Sequence, residues 1–280
     1  MKRLLFIFSI LSLFFIIPFS QIGANPAVPP IKILLVPGHD SVVWGAQYGN
    51  TKEANMNLAV ASRINNILKK DKRFEILITR DNEGYVKEFA DYFSTEHEQI
   101  VSFRESAKKV LLNLIDNGFF LKKETVPHNR VNENTSIVLY GINKWANENN
   151  IDAVIHIHFN DYPRKSKWTI GKYFGFVIYI PDGQMENSFE SGQLGADIYT
   201  QLHKKYTTST YEKELGGLIQ DQSLIALGSN GTLSSSTRSI LIEYGYVSEK
   251  KFRNYTTRHK TYDDMATLTA KGIKNYFFVK

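Results

Sequence analysis

ILLVPGH, residues 33–39, is an apolar run that stops at a Pro-Gly turn and a histidine. With Ile31 and Lys32 ahead of it, the run predicts a strand over Ile31–Val36. It is apolar apart from Lys32, as a strand covered on both faces should be. Ala54, Leu58, Ala61, Ile64 and Leu68 then recur at helical spacing, so a helix follows the strand. The alternation continues down the chain. Further strands are predicted at Glu75–Thr79, Ala153–His158, Phe174–Ile180, Ser223–Leu227 and Ser239–Glu243, with helices at Ile100–Ile115, Ser136–Ala146, Ser188–Lys205 and Asp263–Phe277. Strands alternating with helices predict a single α/β domain: a mostly parallel twisted sheet of about six strands with helices on both faces.

Polar residues stand where those apolar runs end. His39 closes ILLVPGH, Glu53 opens the helix that starts in KEANMNLAVA, His158 closes AVIHIH, and Glu243 closes SILIE. Ligands of open α/β sheets gather at the carboxyl ends of strands, where His39, His158 and Glu243 fall. Two histidines and a carboxylate form a three-ligand set with a fourth position open, the arrangement of catalytic rather than structural zinc. A remaining glutamate acts as base on water made acidic by the metal. His156 and His158 are two apart on one strand and point to the same face, so either is a candidate ligand. Each residue also has a plainer reading. Asn50 and Glu53 have the spacing of a capping box, and Glu243 is within range of a salt bridge to Arg238 or Arg80 by type alone. His97, His128, His203 and His259 have no partner pattern and read as surface or loop residues.

Six stretches, VPGHD (36–40), KEANMNLA (52–59), LITRD (77–81), HIHFN (156–160), GFVIYI (175–180) and ILIEYGYVSE (240–249), occur in one order. In this the chain resembles the zinc-dependent N-acetylmuramoyl-L-alanine amidases of the amidase-3 type, which cleave bacterial peptidoglycan. The resemblance runs from residue 31 to about residue 250. It implies His39, Glu53 and His158 as ligands of one zinc per chain and Glu243 as the catalytic carboxylate. It also places Arg80 and Asn160 near the site. Two departures stand out: Asp40 occupies a position where the family often has glycine, and His156 one where it has a small polar residue. His156 is therefore read as a second-layer donor, a substrate contact or a rival ligand. The stretch between Arg80 and Ala153 is longer than the resemblance implies, so an insertion is expected around residues 84–134.

The N-terminus differs in kind from the rest. Lys2 and Arg3 precede Leu4–Phe19, a nearly unbroken apolar run, and small residues follow at Ser20 and Ala24. This predicts a secretory signal over residues 1–24, with an uncleaved anchor as the alternative. Residues 25–30 (NPAVPP) read as a short linker to a catalytic domain at 31–280. The protein is thus expected outside the cytoplasm, in the periplasm, the wall or the medium, with membrane contact only if the first segment is retained. The chain has no cysteine, which excludes disulfides and a lipidated N-terminal Cys. Its formal charge of +6 falls to +4 without Lys2 and Arg3, a mild basicity suited to an anionic wall. No basic stripe interleaved with aromatics points to nucleic acid.

Two other functions fit parts of this pattern. A zinc carboxypeptidase acting on peptidoglycan stem peptides needs a similar metal set plus a cation for the terminal carboxylate, with Arg80, Arg130 and Arg164 available. A non-catalytic wall-binding protein of the same fold would have little reason to retain all four site residues.

Overall fold

The computed structural model describes residues 28–279. The segment read as a signal, and the first part of the linker, lie outside the described residues. β1 (Ile31–Pro37) leads into a short hairpin, β2 (Gln47–Tyr48) and β3 (Thr51–Lys52), then α1 (Glu53–Leu68) and β4 (Phe74–Ile78). Next come α2 (Lys87–Thr95), α3 (His97–Asp116), α4 (Glu133–Glu148) and β5 (Ala153–Asn160). The chain ends with β6 (Val177–Pro181), α5 (Ser188–Leu202), β7 (Leu218–Asp221), β8 (Arg238–Tyr246), α6 (Lys250–Arg253) and α7 (Tyr255–Phe278).

The sheet has six strands in the order β4-β1-β5-β8-β6-β7, parallel except where β6 meets β8. The expected α/β sheet of about six strands is what forms. Alternation along β5 sorts its side chains. Ala153, Ile155, Ile157 and Phe159 enter the larger core with α1, α5 and α7. Val154 enters the opposite core under α4 with Leu34, Val36, Ile142 and Trp145. His156 and His158 share that second side. Ile33, Leu34 and Leu35 of β1 are fully buried, at about 1.5–3 kcal/mol each. That is enough to hold the strand's carboxyl end, and the turn after it, in one place.

Several elements differ from the sequence reading. Ser223–Leu227 is not a strand: Ile225–Leu227 forms a 3-10 turn that stops at Gly228 (φ 75), and the strand lies earlier, at Leu218–Asp221, paired to β6. The apolar run Leu224–Leu227 packs against Val177, Tyr179 and Leu241 rather than joining the sheet. Phe174–Ile180 becomes regular only at Val177, because Gly175 takes φ 97, outside the strand region, at a point where a Cβ would stand 2.1 Å from the Thr208 carbonyl oxygen. α7 begins at Tyr255, where Asn254 caps two backbone N–H groups, eight residues before the expected Asp263. β8 runs on past Glu243 to Tyr246, through a bulge against β5. Asn50 does not cap α1, whose N-cap is Lys52 without a side-chain bond.

The long stretch between β4 and β5 folds as α2 and α3 followed by a strap, residues 117–132, without helix or strand. α3 packs on α4 through Ile100, Ile137 and Tyr140. The strap is tied across the sheet end by Lys123 to Asp182 at 2.9 Å, His128 to Asp221 at 2.9 Å, and Leu121 N–H to Gln184 at 2.8 Å.

Candidate active site

β1 delivers His39 through the Pro37-Gly38 turn, and His39 itself takes a left-handed backbone, φ 60, uncommon for a residue with a side chain. Asp40 then accepts from Val42 N–H at 2.8 Å and Val43 N–H at 2.6 Å, closing the turn. The close approach needs glycine. A Cβ on Gly38 would stand 2.1 Å from the His158 ring, and one on Gly45 (φ 72) would stand 2.3 Å from a Glu53 oxygen.

Glu53, at the first position of α1 and only 4% exposed, is the centre of the cluster. Its two oxygens lie 3.2 Å from His39 Nε2 and 3.1 Å from His158 Nδ1. Ala46 N–H donates to it at 2.8 Å, and Phe159 N–H and Asn57 Nδ2 at 3.3 Å. Burial works to raise the Glu53 carboxyl, yet the bonds from His158 and His39 and their charge hold it well below the usual carboxylate range. Burial lowers both histidines; at His39 Glu53 outweighs it and the ring ends up raised, while at His158 burial wins.

The donor set suits a metal ion. Among the described residues, His39, Glu53 and His158 form a group whose ligand atoms all lie within 4.8 Å of one another. Tetrahedral zinc with bonds of about 2.0–2.1 Å needs ligand atoms roughly 3.3 Å apart. Each histidine faces a different Glu53 oxygen, at 3.2 and 3.1 Å, so one bound ion would draw three donor atoms that now lie within 4.8 Å of one another somewhat closer together.

Glu243 sits beside His158 in the β5–β8 register. Its Oε2 is buried with no hydrogen-bond partner. Burial, then the negative charges of Glu53 and Glu214, raise its proton affinity well above an ordinary glutamate's. Neither suggested salt bridge forms: Arg238 faces Glu190 and Tyr276, and Arg80 is committed elsewhere. Arg80, 4% exposed, donates to the carbonyls of Pro37, Gly38 and Ala54 at 3.0, 3.0 and 2.7 Å. It ties the ligand-bearing turn to the start of α1.

His156 is not part of the three-residue group. It is 1% exposed, and neither ring nitrogen has a hydrogen-bond partner. Burial, with the nearby His158 charge, pushes its pKa down to about 3. Asn160 donates to Glu214 at 2.9 Å. The buried Glu214, which sequence reasoning passed over, also accepts from Tyr179 at 2.7 Å, Tyr246 at 2.9 Å and Ser209. His128 was missed as well: its partner Asp221 is 93 positions away, and no local pattern announces it.

The profile of Amidase_3, N-acetylmuramoyl-L-alanine amidase, matches residues 33–275. The chain belongs to that family. Like other members, the amidase hydrolyses the bond between N-acetylmuramic acid and L-alanine of peptidoglycan. Solved structures share its fold at low identity. The CwlD amidase from Clostridioides difficile, solved in complex with the GerS lipoprotein, is 16% identical with a TM-score of 0.58, over 89% of this chain and 100% of that one. The catalytic domain of the CwlV amidase from Bacillus (Paenibacillus) polymyxa var. colistinus is 15% identical at 0.55, over 89% and 99%. Ami1 from Mycobacterium smegmatis is 14% identical at 0.54, over 89% and 97%. No curated protein matches the amidase by sequence. The family match selects the amide between N-acetylmuramic acid and L-alanine over the carboxypeptidase reading; of the three cations that reading offered, Arg80 is held by carbonyls and Arg164 by Asp161, while Arg130 lines the cavities beside the candidate ligands.

Proposed function

We propose that the amidase is an exported zinc enzyme in which His39, Glu53 and His158 hold one zinc ion and Glu243 is the general base. The observation that carries this reading is the convergence of the three ligand atoms beside a buried, unpartnered carboxylate oxygen. When bound, zinc supplies Lewis acidity, polarising a carbonyl and acidifying water toward neutral pH. Glu243 takes a proton from the attacking water as the water oxygen bonds to the lactyl carbonyl carbon. It then returns that proton to the alanine nitrogen as the C–N bond breaks, leaving a free lactyl carboxylate and a free amine. Arg80, Asn57 and the N–H groups of Ala46 and Phe159 keep the ligand loop and Glu53 in place. Export rests on the basic, then apolar, segment Met1–Ala24. No helix among the described residues is long and apolar enough to cross a membrane.

Purified sacculi treated with the zinc-loaded protein should yield glycan strands stripped of peptide and peptides with a new N-terminal L-alanine, read by mass spectrometry. Metal analysis should find about one zinc per chain. Intact lactyl–alanine bonds after treatment with zinc-loaded protein would reject the activity. A fully active metal-free protein would reject the metal assignment.

A further inference from the structure

Two cavities meet at the His39–His158 edge of the site, and their linings differ. The one that also reaches Glu243, about 1050 Å³, carries the rings of Trp44, Tyr162, Tyr211 and Tyr246. The other, about 860 Å³, lies under the strap against aliphatic walls that include Val36, Val126, Val138, Ile142 and Leu241. Pro127–Asn132 of the strap border both, so the two are adjoining parts of one passage with the candidate ligands at the junction. His156 lines the aliphatic part, nearly fully buried, with both ring nitrogens unpartnered. Buried polar groups in folded proteins have partners, and one that lacks them calls for an explanation.

We propose that the aliphatic cavity is the subsite for the stem peptide, and that His156 is a specificity-determining residue that hydrogen-bonds the peptide backbone there. The proposal rests on the amidase reading above. Cleavage at the junction divides the substrate into a sugar half and a peptide half. Pyranose rings offer flat C–H faces and hydroxyl edges, which suit amphipathic aromatic rings, and among the two linings only the groove beside Glu243 carries several. A buried peptide needs partners for its N–H and C=O groups, and an imidazole offers a donor or an acceptor at each nitrogen. Aliphatic side chains of the peptide match the remaining walls, and the volume falls in the range of ligand sites, about 300–1,000 Å³. The strap that roofs the cavity comes from the long β4–β5 connection, so the roof lies outside the six stretches that carry the family resemblance, whereas Val36, His156 and Leu241 of the walls lie within them.

The test compares N-acetylmuramoyl-L-alanine with the corresponding muramoyl di-, tri- and tetrapeptides, and with a disaccharide-bearing tetrapeptide. It uses the zinc-loaded wild type and two variants, Val138→Trp, which puts an indole into the cavity and obstructs it, and His156→Leu, which removes the polar contact at similar size. In the wild type kcat/KM should rise with peptide length. Val138→Trp should flatten that rise while leaving the one-residue substrate and the gain from the extra sugar nearly unchanged. His156→Leu should raise KM for the longer peptides roughly three- to tenfold, the loss of about one hydrogen bond, with kcat little changed, the pattern of lost uniform binding. An undiminished length dependence in Val138→Trp, an equal loss on every substrate in His156→Leu, or loss of the sugar dependence instead would each overturn the proposal. A wild type inactive on all these substrates would instead remove the amidase reading, so the two failures are distinct. Melting temperature reports whether the variants fold, and His156→Leu carries the test if Val138→Trp does not.

Discussion

Gly38→Ala should nearly abolish metal binding without touching a ligand residue. A Cβ there would stand 2.1 Å from a ring carbon of His158, whereas ordinary contact begins near 3.4 Å, so something must move by about 1.3 Å. The backbone is poorly placed to yield. Gly38 N–H donates to Ile157 O at 2.9 Å, and its carbonyl accepts from Asn57 at 2.8 Å and Arg80 at 3.0 Å. The His158 ring is the softer element, and metal ligands hold their distances to within about 0.2 Å. A 1.3 Å shift therefore removes one ligand of three. Disturbing only the partners of metal ligands costs about 10–100-fold in affinity, so losing His158 should cost at least about 100-fold. Gly38 is not in the left-handed region, so the substitution carries no backbone penalty to confuse the result. Competition against a chromophoric zinc chelator would measure the affinity, and the melting temperature of the metal-free variant would show the fold intact. Wild-type zinc affinity in a folded Gly38→Ala protein would refute the placement of His158 against the turn and its role as ligand.

Glu243→Gln keeps shape but cannot accept a proton; sacculus hydrolysis should fall about 10²–10⁴-fold with zinc content unchanged, and near-normal turnover would remove Glu243 from the mechanism. His39→Ala or His158→Ala should strip zinc while His156→Ala retains most of it; the reverse pattern, read by metal analysis, would reassign the ligands. His156, with its pKa pushed down to about 3, stays uncharged in the folded state, while unfolded chain protonates near 6.5, so its contribution to stability is present above pH 6.5 and lost as pH falls. In the metal-free protein that loss should reach about 2 kcal/mol by pH 5 at about 1.4 kcal/mol per unit and be absent from His156→Leu, and the same pH dependence in denaturant titrations of both proteins would disprove it. Deleting Met1–Ala24 should leave the protein folded inside the cytoplasm, and efficient export of the truncated chain, seen by fractionation, would refute the signal reading.

Much of this was legible in the chain because chemistry and burial change at the same residues. An apolar run ending at Pro37-Gly38-His39, another ending at His158 and a third around Glu243 place three polar groups at the carboxyl ends of the three adjacent parallel strands β1, β5 and β8. Local pattern failed where pairing is decided at a distance. The apolar Leu224–Leu227 reads as a strand, yet β6 had already taken Leu218–Asp221 as its neighbour. Gly45, Asn57 and Glu214 carry no signal of their own, since each matters only through what lies against it.

The sequence by itself therefore determined the α/β class and the four polar positions that close or open its core elements. These follow from side-chain periodicity and residue type, which are local properties. Only the tertiary structure decided that Glu53 lies between the two histidines and that Arg80 binds carbonyls. It alone placed His156 against an aliphatic cavity and carried the strap across the sheet end to Asp182 and Asp221. Those depend on contacts between residues far apart in the chain, and such contacts exist only once the strands have chosen their neighbours.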